Sequence, residues 1–225
     1  MSDAFNTLVA RGVTRLCHFT KLQSLAQIVS TDSGILPSSS IRSDTKNVTD
    51  KARYDGELEC VCCSVEYPNS WFLQRAMTNN TDKVFRDWLT IYINLDILNL
   101  NDAKFCPCNA STDWGRYITN DISTLYANPV HCKRIYYRDS PMLHCCPTDG
   151  QAEILIKSGI PRDYITGFAV GDENMAGRVY AMLKTCNVKQ VPIYIAPTIL
   201  TPTWSTMIKR GQRPSEELFV WSEEE

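Results

Sequence analysis

This sequence predicts an α+β fold built on antiparallel sheet, and two observations carry the reading. Strand-like and helix-like segments are mixed without a regular β-α-β rhythm. Neither a glycine-rich dinucleotide fingerprint nor a phosphate loop opens any helix, so the usual marks of a doubly wound parallel sheet are missing. With 225 residues, 44% of them hydrophobic, the chain can build one sizeable core, and a single domain over 1–225 is expected.

Residues 1–12 read as a short leading helix, and Thr14 to Phe19 as a strand. Leu22, Leu25, Ala26, Ile28 and Val29 recur at helical spacing, so Lys21 to Ser30 is an amphipathic helix with Thr20 as its expected N-cap. Gly34 suits the left-handed position after that helix, and Pro37 stops any continuation. Residues 37–57 lack apolar periodicity; a loop of that length is usually functional or disordered, and its basic residues Arg42, Lys46, Lys51 and Arg53 favour a function. Leu58 to Val65 alternates as a strand, and Tyr67-Pro68-Asn69-Ser70 is a turn before a short helix from Trp71 to Met77. Trp88 to Leu95, rich in β-branched and aromatic residues, is the clearest strand. Residues 99–120 read as loop and short helix, continued by Asp121 to Tyr126. Strands follow at Glu153 to Lys157 and Tyr164 to Val170, then a helix from Asn174 to Cys186 and a strand from Val191 to Ala196. The last 25 residues read as a tail packed on the body.

Composition narrows the function classes. No run of 18 apolar residues is present, so no membrane span is expected, and the first residues lack the basic and apolar regions of an export signal. A cytoplasmic protein is expected, which favours reduced thiols for its ten cysteines. Their spacing is poor for zinc: Cys106-Pro107-Cys108 is one residue short of the usual pair, while Cys62-Cys63 and Cys145-Cys146 are adjacent. Buried thiols acting as small hydrophobes are expected, and no metal. A net charge of −2 excludes a polycation, so any nucleic-acid binding must use a local basic face.

Two short segments carry the chemistry. In Gln151-Ala152-Glu153 a carboxylate opens an apolar strand, where it needs partners or a task. Cys17-His18-Phe19-Thr20 ends another apolar run, and polar groups on the two strand ends can face one cleft. Taken in order, His18-x-Thr20, the helix after it, Gly34-Ile35-Leu36, Arg53 and Gln151-Ala152-Glu153 resemble the DarT family of ADP-ribosyltransferases, over roughly residues 13–200. The resemblance implies an ADP-ribosyltransferase-like split β-sandwich with flanking helices and NAD held between two sheets. It implies an enzyme of the pentosyltransferase class that moves ADP-ribose from NAD to a base of single-stranded DNA or RNA. It further implies a toxin of a toxin–antitoxin or anti-phage system, opposed by an antitoxin protein.

The residue roles follow from that resemblance. Glu153 is the expected catalytic carboxylate; the competing role is a salt-bridged strand glutamate. Breaking the nicotinamide–ribose bond passes through an oxocarbenium-like state, which a carboxylate can stabilise while taking a proton from the incoming base. His18, Thr20 and Gln151 are expected to contact NAD, with Ser24-Leu25 standing where the family usually has Asn-Leu. Arg53, with Arg42 as the alternative, is expected to serve both NAD and catalysis, because a guanidinium grips phosphate in a bidentate way.

Single strands are gripped by aromatic stacking beside basic groups, which singles out Trp71 with Arg75, and Asn109, Trp114 and Arg116 in the loop from Asn109 to Tyr117. Two other functions are compatible with the residues. One is ADP-ribosyl transfer to a protein or small molecule; the other is a non-enzymatic cysteine-rich binding module.

Overall fold

The computed structural model describes residues 1–41, 54–79 and 86–221. Arg53 and its alternative Arg42 lie outside the described residues. Along the chain come α1 (Asp3–Ala10), β1 (Leu16–Lys21), α2 (Leu22–Ser30), β2 (Cys60–Val65), α3 (Ser70–Thr78), β3 (Trp88–Ile93), α4 (Ile97–Leu100) and β4 (Ala103–Cys106). They are followed by β5 (Val130–His131), β6 (Ile135–Tyr136), β7 (Glu153–Lys157), β8 (Ile165–Val170), α5 (Glu173–Thr185), β9 (Ile193–Ile195), α6 (Trp204–Lys209) and β10 (Glu217–Leu218).

Eight strands make one sheet in the order β10-β9-β8-β3-β1-β2-β7-β4. The pairings are antiparallel except β8 with β9, which are parallel and joined through α5. The joint between β1 and β2 defines the architecture. β1 pairs with β3 at six positions and β2 with β7 at five, yet β1 and β2 share only Leu16↔Val65 and Cys17↔Ser64. Beyond Cys17 the two strands part. The expected split sandwich is therefore a sheet divided into two leaves that stay joined at one end, with a cleft at the other.

Glu66 holds the closed end. It directly follows β2, has a left-handed φ of 65°, and is 1% exposed. Its carboxylate accepts from the Thr14 backbone N–H at 2.7 Å and from Arg213 at 2.6 Å, while its backbone exchanges bonds with Arg15. A buried carboxylate is tolerated only with such partners. The arrangement ties the start of β1 to the end of β2, and the strands part beyond the Cys17–Ser64 pair.

Most helices and long strands lie within a few residues of their expected bounds, and β7 coincides with them. The last segment does pack on the body: β10 pairs with β9, and Trp221 stacks on Tyr180 of α5 at 4.9 Å. Two expectations need correction. Thr20 does not cap α2, whose N-cap is Lys21 without a side-chain bond; Thr20 is still in β1, and the Leu22 N–H is taken by the Asp87 carbonyl. Residues 99–120 are not only loop and short helix, because Ala103–Cys106 forms edge strand β4 against β7. Its four residues, two of them only half-buried, are too few to show an alternation.

Candidate active site

The cleft between the leaves has a volume of about 180 Å³. β1 supplies His18 and Thr20, β2 supplies Cys60, Cys62 and Ser64, and Glu153 opens β7. Helix α2 contributes Ser24, Gln27 and Ile28, and Gly34 to Ser38 form part of the wall. Gly34 cannot be another residue without rearrangement. Its φ is +61°, and a Cβ there would lie 2.3 Å from the Ile160 carbonyl oxygen. The bridge between Ile35 and Ile160 holds this wall against the connection between β7 and β8.

Period-2 alternation groups these side chains strand by strand: His18 and Thr20 share one face of β1, and Cys60, Cys62 and Ser64 share one face of β2. Ser64 pairs with both Cys17 and Glu153, so those three residues share one sheet face at the point where the leaves part. His18 stands one step further, where a ladder bond to β2 would otherwise continue. Its Nδ1 instead meets the Cys62 carbonyl at 2.9 Å across the gap. A carbonyl only accepts, so Nδ1 carries the proton, and in the neutral ring Nε2 is an acceptor aimed from a fixed imidazole.

Glu153 is 6% exposed. One carboxylate oxygen accepts the Ala110 backbone N–H at 2.8 Å. The other lies 3.2 Å from the Asn109 amide nitrogen and 3.5 Å from that of Asn69. Asn69 is itself fully buried: its side-chain oxygen caps α3 at Phe72, and its N–H bonds the Ser64 hydroxyl. Charge-assisted bonds of this kind offset part of the cost of burying an anion and fix its direction. The site thus contains a preorganised carboxylate, a tautomer-fixed imidazole and small hydroxyls, in a groove with apolar walls. That set fits the needs of a glycosyl transfer from a dinucleotide: a negative charge for the developing cation and acceptors for ribose hydroxyls.

The family model for DarT, described as ssDNA thymidine ADP-ribosyltransferase, matches residues 17–201. The chain belongs to the DarT family. It is accordingly an NAD-dependent ADP-ribosyltransferase, with NAD as its substrate. Among solved structures, it is similar to Thermus sp. 2.9 DarT in complex with ADP-ribosylated ssDNA, with a TM-score of 0.60, 13% identity, and 84% of this chain and 96% of that one covered. It is likewise similar to Thermus sp. 2.9 DarT in complex with carba-NAD+, with a TM-score of 0.58, 14% identity, and 83% and 97% covered. At these identities the likeness shows a shared DarT fold. No curated relative matches the chain.

The structure gathers His18, Thr20, Ser24, Asn109 and Glu153 into one cleft. Leu25 falls on the other side of α2, fully buried in the main core, so it can shape the helix but does not line the groove. Gln151 is half-buried and outside the lining, its N–H bonded to Asp149. Trp71 packs edge-on against Trp204 at 5.6 Å, while its neighbour Phe72 lines the cleft; Arg75 is exposed on α3. Trp114 and Arg116 are exposed beyond Asn109. Sequence reasoning missed Asn69 and the Ala110 N–H, although the Asn69-Ser70 turn before a helix was a visible capping signal.

One of the ten thiols shows how far burial controls its chemistry. Cys17 is 1% exposed, and desolvation pushes its thiol up to about 12, which disfavours the thiolate at neutral pH. Among the described residues no group of three histidine, cysteine or acidic side chains can hold a metal ion. No helix among them is long and apolar enough to cross a membrane.

Asp149, four residues before Glu153, carries a testable pH signature. Burial raises its carboxyl from 3.8 to about 6, against the opposing Gln151 N–H and Lys209 charge. The folded protein therefore binds this proton more tightly than the unfolded chain. The resulting stabilisation is complete below the unfolded value and is lost as pH rises through about 6. Asp149→Asn is expected to melt higher at pH 7.5, by an increment on the order of 2 kcal/mol, and to match wild type near pH 4. Thermal melts of both proteins across pH 4–8 check this.

Proposed function

We infer that this chain transfers ADP-ribose from NAD to a base of single-stranded nucleic acid, with DNA the first choice of substrate. The observation that supports the reading best is the buried, triply bonded carboxylate of Glu153 on the cleft between the leaves. In this reading Glu153 stabilises charge on the ribose as nicotinamide leaves, and then takes a proton from the attacking base. His18, through Nε2, accepts from a ribose hydroxyl, and Thr20 and Ser24 bind along the same wall. The family's description as an ssDNA thymidine ADP-ribosyltransferase supports the substrate class.

Intact-mass analysis of NAD-treated oligonucleotides tests this. A single-stranded DNA containing thymine is expected to gain one ADP-ribose; duplex DNA and a thymine-free strand are not. NAD consumption with no adduct on DNA or RNA would move the acceptor to a protein or small molecule. For His18→Ala, the loss of one positioned acceptor is expected to raise KM for NAD by roughly tenfold, with a smaller change in kcat. Initial rates against NAD concentration check that.

A toxin role, with an antitoxin partner that reverses or blocks the modification, fits the same chemistry, because base adducts stop templated synthesis. Induced expression in a bacterial host is expected to halt growth, and Glu153→Gln to relieve the arrest.

A further inference from the structure

The loop that runs from Asn109 to Tyr117 starts at the catalytic carboxylate and ends in an unusual conformation. Asp113 and Trp114 are both left-handed, with φ of 48° and 61°, and Gly115 follows at 82°. Non-glycine side chains rarely adopt that region, because Cβ crowds the following carbonyl. The conformation puts Trp114 on the surface at 77% exposure, although indole is among the side chains that gain most from burial. It is not left alone there. Tyr54, 48% exposed, meets it edge to face with ring centroids 4.8 Å apart.

The pair is fastened to the mouth of the cleft. A Cβ on Gly115 would lie 2.7 Å from the Asp55 carbonyl oxygen, so this turn packs directly on the 54–55 backbone. Asp55, Asn109 and Ser111 all line the cleft. The turn is held by the Asp113 carboxylate accepting from Tyr117 at 3.1 Å and by the Arg116 N–H to the Asp113 carbonyl. The exposed indole stands five positions after Asn109, which bonds Glu153, and exposed Arg116 lies two further on.

We propose that Trp114, braced by Tyr54, is a stacking platform for a base neighbouring the target base of a single-stranded nucleic acid. The proposal rests on the nucleic-acid reading above. Stacking on an aromatic face suits any base, and a nearby arginine suits the phosphate that follows.

The test compares wild type, Trp114→Ala and Trp114→Phe on a single-stranded thymine-containing oligonucleotide and on a series of the same strand with one abasic position moved along it. Trp114→Ala is expected to raise KM for the strand roughly tenfold, with KM for NAD changed less than about twofold, and Trp114→Phe to recover most of the loss. One abasic position beside the target is expected to weaken the wild type and leave Trp114→Ala indifferent. Equal strand KM for wild type and Trp114→Ala overturns the platform while leaving the transferase reading intact. Failure of wild type to modify any strand overturns both. A Trp114→Ala defect that appears with a protein acceptor instead overturns the base assignment.

Discussion

Glu153→Gln is expected to lower ADP-ribosyl transfer by on the order of 10³-fold, with NAD binding far less affected. The substitution keeps the shape and removes the charge. Two oxygens now accept from donors on both sides, Ala110 on one and Asn109 with Asn69 on the other. A carboxamide can satisfy only one side, because its NH₂ must face a donor on the other. The variant is therefore also expected to lose about 1–2 kcal/mol of stability, and melting curves recorded beside the rates separate that loss from the catalytic one. A kcat within a few-fold of wild type would remove Glu153 from the chemistry.

Trp204→Ala has the second large effect, and it acts on stability. Trp204 is 1% exposed, donates its indole N–H to Ser70 at 2.8 Å, and packs against Tyr67 and Trp71 at 5.3 and 5.6 Å. It also fills the space over Gly150, where a Cβ would come within 3.0 Å of its ring. It thus ties α6 to the start of α3 and to the turn leading into Glu153. Truncation is expected to cost about 3–5 kcal/mol from the cavity and the orphaned Ser70 hydroxyl, or on the order of 10 °C in Tm for a chain of this size. A melting curve shifted by less than 3 °C would contradict this packing role.

What the sequence disclosed depended on the range of the interactions. β7 was legible to the residue because Glu153-Ile154-Leu155-Ile156-Lys157 is an apolar run bounded by charged ends. The His-x-Thr pattern located one cleft wall, since period 2 puts His18 and Thr20 on the same face. The capping role of Thr20 was misjudged, because a hydroxyl before an amphipathic helix reads as a cap when the strand that retains it cannot be seen. Leu25 and Ser24 separate for the same kind of reason: one helical step turns Leu25 into the core and Ser24 to the groove. Trp71 and Phe72 divide similarly on α3. The partners of Glu153 were out of reach altogether. Asn69, Asn109 and Ala110 lie 84, 44 and 43 residues away, and only the pairing of β2, β4 and β7 brings them together.

The central claim is that the divergence of β1 and β2 beyond Cys17 creates the NAD site, with Glu153 at the reacting ribose. A crystal structure of Glu153→Gln grown with NAD tests it most directly. The expected density has the nicotinamide ribose within hydrogen-bond reach of residue 153 and His18 Nε2 on a ribose hydroxyl, between the two leaves. NAD bound outside that cleft, or lying in it with residue 153 turned away from the ribose, would contradict the account.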